Sequence, residues 1–90
     1  MTKKQGNKLF KEKEMKKIEI YTSDTCIQCK KVKEYFENNN LEFKELNISS
    51  NIEYKRELIK KGYLSVPVIV IDGQDILGFD LNRIKQLTGL

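Results

Sequence analysis

Tyr21-Thr22-Ser23-Asp24-Thr25-Cys26-Ile27-Gln28-Cys29-Lys30-Lys31 holds the only two cysteines of a 90-residue chain. It also marks a change of hydrophobic period. Ahead of it, Lys17 to Thr22 alternates polar and apolar residues, with β-branched and aromatic side chains, as a half-buried strand does. Behind it, Cys29, Val32 and Phe36 fall at i, i+3 and i+7 on one helical face, while Lys30, Lys31, Lys33, Glu34 and Glu37 point elsewhere. A strand therefore ends and a helix begins at the cysteine pair. Thr25, or Asp24 one residue earlier, is the expected N-cap, which puts Cys26 in the first turn among unpaired backbone N–H groups.

The partial positive charge of a helix N-terminus stabilises an anion, and Lys30 and Lys31 add to it. The Cys26 thiol is therefore expected near pH 5 to 7.5, against about 8.5 for a free thiol. Cys29, one turn along and facing the core, is expected to remain a buried thiol. The pair then reads as a nucleophile and a resolving group for disulfide exchange, at roughly −200 to −270 mV. Two other readings compete. A structural zinc takes four ligands and a catalytic one usually three, so two cysteines without histidine make a metal or iron–sulfur site only in a dimer or with outside ligands. A purely structural bridge over two residues closes almost no loop and constrains the unfolded chain little. No metal ligand is assigned within the single chain. The lack of histidine also excludes Cys-His and Ser-His-Asp relays, and the five scattered glycines form no phosphate-binding loop.

Ninety residues with 39% apolar content make one small domain with its own core. A lone Cys-x-x-Cys pair without further cysteines fits a reducing compartment. No apolar run approaches the ~18 residues of a membrane span, and no secretory leader is visible, so the expectation is a soluble, cytoplasmic monomer with no membrane partner. The net charge of +4 divides unevenly. Residues 1–17 hold seven lysines and two glutamates, or +5, leaving ten basic and eleven acidic residues, or −1, for the rest. The basicity belongs to a tail and not to a folded face, so residues 1–15 read as a basic, flexible extension, residues 16–90 as the domain, and nucleic acid is not an expected partner.

The first strand is expected from about Lys16 to Thr22 and the first helix from Cys26 to about Asn38, stopped by Asn38-Asn39-Asn40. Leu41 to Ile48 reads as a second strand with Leu46 and Ile48 as its buried pair. Ser49-Ser50-Asn51 offers caps, with Glu53 three residues after Ser50 in the manner of a capping box, for a second helix that carries Ile52, Leu58 and Ile59 inward and stops at Gly62. Val66-Pro67-Val68-Ile69-Val70-Ile71, short and β-branched, is a strand buried on both faces. Asp72-Gly73 signals a hairpin into a strand near Gln74 to Leu77. Asp80 starts a last helix with Leu81, Ile84 and Leu87 as its apolar stripe. On base rates alone the Val66-Pro67 bond is trans.

Cys26-Ile27-Gln28-Cys29 after a strand, Ser65-Val66-Pro67 before a β run, Ile71-Asp72-Gly73, and Leu77-Gly78-Phe79-Asp80 together resemble the glutaredoxin branch of the thioredoxin fold across residues 16–88. The resemblance implies an α/β fold, a four-stranded mixed sheet in the order βαβαββα flanked by three helices. It implies a cis Pro67 facing the cysteines, with the backbone of Val66 available to an extended substrate. Cys26 and Cys29 are then the catalytic pair, a redox-active disulfide with no other bound cofactor, and Thr25, Ile27, Gln28, Val66, Pro67, Gly78, Phe79 and Asp80 line the substrate site. Ile27-Gln28 and Ser23 depart from the Pro-Tyr, and from the Lys or Arg three residues before the first cysteine, that glutathione-using glutaredoxins commonly carry, whereas Ile27-Gln28 and Gly78-Phe79 are more similar to NrdH-redoxins, which take electrons from thioredoxin reductase and deliver them to ribonucleotide reductase. Asp80 is more similar to glutathione-dependent glutaredoxins. The expected partners are disulfide-containing proteins and either thioredoxin reductase or glutathione as donor. Cluster-holding glutaredoxins more often carry Gly-Phe-Ser after a lone first cysteine, a pattern absent here.

Overall fold

A computed structural model describes residues 17–89. The basic extension expected over residues 1–15, and Lys16 at the start of the first strand, lie outside the described residues. Seven elements follow in order: β1 (Ile18–Thr22), α1 (Ile27–Asn38), β2 (Lys44–Asn47), α2 (Ile52–Lys60), β3 (Val68–Ile71), β4 (Gln74–Leu77) and α3 (Leu81–Thr88). The strands form one mixed sheet, β2-β1-β3-β4, with β1 parallel to β2 and antiparallel to β3, and β4 antiparallel to β3. This is the thioredoxin-like order that the resemblance implies.

Alternation along the strands sorts the core into two layers. Ile18, Ile20, Ile69, Ile71 and Ile76 face Val32 and Phe36 of α1 and Ile84 of α3. Tyr21, Leu46, Val68 and Val70 face Leu58 of α2. Every residue of β3 is buried, as a central strand covered on both sides requires. The β3–β4 turn needs positive φ at both central residues, and Asp72 (φ 49°) and Gly73 (φ 84°) supply it. The asparagine stop also holds: Asn40 is left-handed at φ 58°, and Leu41 N–H closes the helix end on the Phe36 carbonyl at 2.9 Å.

Five local expectations need correction. The cap of α1 is neither Thr25 nor Asp24 but Cys26 itself, and the helix starts at Ile27. The second strand is shorter than Leu41 to Ile48; Leu41 and Phe43 pack on the core from the preceding loop, and Ile48, just past the strand, is half-buried. Of the three caps offered, Asn51 and not the capping-box Ser50 caps α2, accepting from Glu53 N–H at 2.9 Å. Ile52 and Ile59 point to solvent, because a nine-residue helix lying on a sheet buries one narrow stripe, here Leu58 with Tyr54 one turn before it. Leu81 is likewise exposed, leaving Ile84 and Leu87 to hold α3. In addition, β3 begins at Val68, with Val66 and Pro67 leading into it.

The strand directions bring four loops to one edge of the sheet. In spatial order they are residues 48–51 after β2, 23–26 after β1, 64–67 before β3 and 78–80 after β4.

Candidate redox site

Both cysteines lie at that edge, joined as a disulfide with Cα atoms 5.2 Å apart. Cys26 has extended backbone angles (φ −89°, ψ 108°), and its Sγ accepts the Cys29 N–H at 3.1 Å. A hydroxyl or carboxylate usually makes this N-cap contact; here the first cysteine is the cap. The two sulfurs differ in access: Cys26 is half-buried, whereas Cys29 is 1% exposed beneath α1. Thr25, Ile27 and Gln28 beside them are exposed.

The turn that presents Cys26 is tied to its neighbour. Asn47 Nδ2 donates to Asp24 Oδ1 at 2.9 Å, Asp24 N–H donates to Ser49 Oγ at 3.1 Å, and Ser49 N–H returns to Asn47 Oδ1 at 2.8 Å. Ile48 N–H donates to the Thr22 carbonyl at 2.8 Å. Sequence reasoning missed Asn47 and Ser49, since only the parallel pairing of β1 and β2 brings them to a turn more than twenty residues earlier.

On the other side stands Pro67. Register places Tyr21 opposite Val68, so Thr22 comes level with Pro67 and the cysteine loop leaves the sheet at the edge where Pro67 enters it. The Val66-Pro67 bond is cis, as the resemblance implies and against the base rate. Pro67 is buried, and Val66 is half-buried against the Tyr21–Leu58 layer. Gly78 N–H donates to the Pro67 carbonyl at 2.8 Å, and Gly78 has φ 80°, which favours glycine there. Phe79 packs against the core layer of Ile20, Phe36 and Ile84, with its ring 5.9 Å from that of Tyr35 on α1. Asp80 caps α3, its Oδ1 accepting Arg83 N–H at 3.2 Å. The residues singled out from sequence thus gather on one edge in three groups, with the Pro67–Gly78 bond joining two of them.

Behind the site, the fully buried Thr22 hydroxyl donates to Glu45 Oε2 at 2.7 Å, and Lys33 of α1 reaches the same oxygen at 2.9 Å. The Thr22 hydrogen bond, with Lys33 assisting, holds the Glu45 carboxyl below its usual range despite some burial. These bonds fasten the helix carrying Cys29 to β1 and β2. Among the described residues no three His, Cys, Asp or Glu side chains gather as a metal site, and no helix is long and apolar enough to cross a membrane.

The sequence profile of the Glutaredoxin family matches residues 18–76. An uncharacterized glutaredoxin-like 8.6 kDa protein of the rubredoxin operon in Clostridium pasteurianum is 39% identical over 71 residues, covering 78% of this chain and 95% of its own length. Glutaredoxin 3 of Escherichia coli is 40% identical over 67 residues, 73% of this chain and 81% of that protein. The solved structure of NrdH-redoxin from Escherichia coli superposes with a TM-score of 0.72 at 30% identity, over 79% of this chain and 93% of the other. A cysteine pair at the head of a helix, a cis proline at the same sheet edge and a family profile spanning the strands that position both lead to one assignment: the chain belongs to the glutaredoxin family, as a thiol–disulfide oxidoreductase whose redox centre is Cys26–Cys29.

Proposed function

We propose that the chain is a dithiol reductase of protein disulfides in which Cys26 attacks and Cys29 resolves. The observation that carries this is the asymmetry of the pair: Cys26 is accessible and its sulfur accepts a helix N–H, while Cys29 is buried. In the reduced protein the same N–H and the helix N-terminus favour a Cys26 thiolate. That thiolate attacks one sulfur of a substrate disulfide; the S–S bond breaks, and the other sulfur leaves as a thiolate and takes up a proton. Cys29, losing its proton, then attacks the Cys26 sulfur and releases the second substrate thiol. Two electrons and two protons pass to the substrate, and the chain is left with the Cys26–Cys29 disulfide. Thr25, Ile27, Gln28, Val66, Pro67, Gly78, Phe79 and Asp80 line the docking site, with the main chain of Val66 pairing with an extended substrate. Residues 16–90 form the working domain, and residues 1–15 are an extension outside it.

For the electron donor we favour thioredoxin reductase, with ribonucleotide reductase as the substrate. Support comes from Ile27-Gln28 and Ser23, and from likeness to the E. coli NrdH-redoxin, a glutaredoxin-like protein with a thioredoxin-like activity profile. Glutathione is the second reading, favoured by Asp80 at the α3 N-terminus and by 40% identity to Glutaredoxin 3. Reduction of the Cys26–Cys29 disulfide is to be followed with NADPH and thioredoxin reductase, and separately with NADPH, glutathione and glutathione reductase. Turnover with the first system alone is expected; turnover only with glutathione reverses the choice of donor.

A further inference from the structure

Asp24 and Thr25 stand ready in the sequence to cap α1, yet the Cys26 sulfur is the cap. Aspartate is among the favoured N-cap residues and accepts an N–H two or three residues along, so the Cys26 and Ile27 N–H groups are its natural targets. In the structure its carboxylate is engaged elsewhere. Oδ1 accepts Asn47 Nδ2 at 2.9 Å, and the Asp24 N–H donates to Ser49 Oγ at 3.1 Å. Ser49 N–H in turn donates to Asn47 Oδ1 at 2.8 Å, so three residues close a ring.

The ring is anchored on the sheet and not on the cysteine turn. Asn47 ends β2 opposite Thr22, and Ile48 N–H carries the pairing one step further, to the Thr22 carbonyl at 2.8 Å. The turn's own backbone bond, from Cys26 N–H to the Ser23 carbonyl, is long at 3.4 Å. The path of residues 23–26 is therefore set largely from β2. Of the other charged groups at this edge, Glu53 pairs with Arg56 at 3.0 Å, Asp80 accepts Arg83 N–H at 3.2 Å, and Lys30, Lys31 and Lys55 are exposed cations. Asp24, two residues before Cys26, is the one carboxylate inside the turn.

We infer that Asn47 is a positioning residue for the redox reaction: by holding the Asp24 carboxylate it keeps a rival cap off the start of α1 and reserves the Cys29 N–H for the Cys26 sulfur. Were Asp24 to cap, the helix would begin at Thr25 and Cys26 would enter its first turn. The sulfur would then lose the N–H it now accepts at 3.1 Å and gain a carboxylate as neighbour, and both changes disfavour the thiolate. The inference rests on Cys26 being the attacking thiol and adds a residue on another strand that sets its reactivity.

The test is a double-mutant cycle on the full-length, pre-reduced chain. The apparent pKa of Cys26 is read from the pH dependence of alkylation by iodoacetamide, with the labelled cysteine identified by peptide mass spectrometry. Asn47→Ala is expected to raise that value by about one unit, the scale of one lost hydrogen bond to an anion, which lowers the thiolate fraction about tenfold below the wild-type pKa. Asp24→Ala alone leaves the value at or below that of wild type, because the rival cap is gone. Combining the two substitutions returns the value of Asp24→Ala. If Asn47 merely braces the turn, the double variant stays at least as high as Asn47→Ala. That result, or an Asn47→Ala value equal to wild type, overturns the inference while leaving the pair's chemistry standing. Asn47→Asp keeps the acceptor for Ser49 N–H but repels Asp24, and it runs the same cycle should Asn47→Ala fail to fold. A wild-type Cys26 value near the ~8.5 of a free thiol overturns the reading of the pair, and the role of Asn47 with it.

Discussion

Replacing Thr22 with Val removes one hydroxyl from the last residue of β1 while keeping its branched shape. That hydroxyl is fully buried and donates at 2.7 Å to Glu45 Oε2, the oxygen that also receives Lys33 at 2.9 Å. A hydrogen bond to a charged partner contributes about 1.5–3 kcal/mol. The Glu45 and Lys33 side chains are 34% and 28% exposed, so water replaces part of the loss, and the expected destabilisation is about 1–2 kcal/mol. For a domain of this size that lowers Tm by about 5–10 °C. The pH dependence separates the charged bond from simple loss of a buried polar group. The Thr22 hydrogen bond first, and Lys33 second, hold the folded Glu45 carboxyl below 4.5. A lowered folded pKa stabilises above the unfolded value, and that contribution disappears as pH falls through the folded one. Urea unfolding of wild type and Thr22→Val should therefore show the full difference at pH 7 and a progressively smaller one as pH falls into the range where the Glu45 carboxyl takes up its proton. A difference that does not shrink as pH falls would refute the charge-assisted account.

Two more perturbations probe the scaffold. Leu58 is the only buried residue of α2, at 2% exposure, so Leu58→Ala should cost about 3 kcal/mol in urea unfolding and loosen the helix beside the 48–51 loop; a loss under about 1 kcal/mol would contradict its place in the core layer with Tyr21, Leu46 and Val68. Burial, and then the neighbouring Glu57 carboxylate, push the Tyr21 phenol up to about 12. Its raised folded pKa contributes stability below pH 10 that is lost as pH rises from 10 to 12, at most about 3 kcal/mol. Wild type should thus lose more stability than Tyr21→Phe between pH 9 and 11.5, and parallel declines would argue against it.

Much of the architecture is legible in the sequence, because its signals are local. Asp72-Gly73 encodes the hairpin through backbone angles that few other pairs adopt, and the unbroken Val68–Ile71 run encodes a strand covered on both faces. Cys26-x-x-Cys29 after a strand announces redox chemistry by its spacing and position alone. The failures are of two kinds. Cap identity depends on which side chain wins a particular N–H, and a sulfur takes the place that Thr25 or Asp24 is expected to fill. Facing depends on what lies opposite: Ile52 and Ile59 fit an amphipathic pattern, yet the sheet under α2 is wide enough to cover only Leu58 and its neighbours. Asn47 and Ser49, which brace the cysteine turn, are beyond reach of local patterns because their partner, Asp24, becomes adjacent only once β2 pairs with β1.

The most direct measurement is mass spectrometry of pre-reduced Cys26→Ser and Cys29→Ser proteins after reaction with a protein disulfide. If Cys26 attacks and Cys29 resolves, Cys29→Ser accumulates a mixed disulfide through Cys26 and Cys26→Ser forms no adduct. An adduct on Cys29 in the Cys26→Ser protein, formed as fast as the one on Cys26, would contradict the division of labour that the burial of the two sulfurs implies.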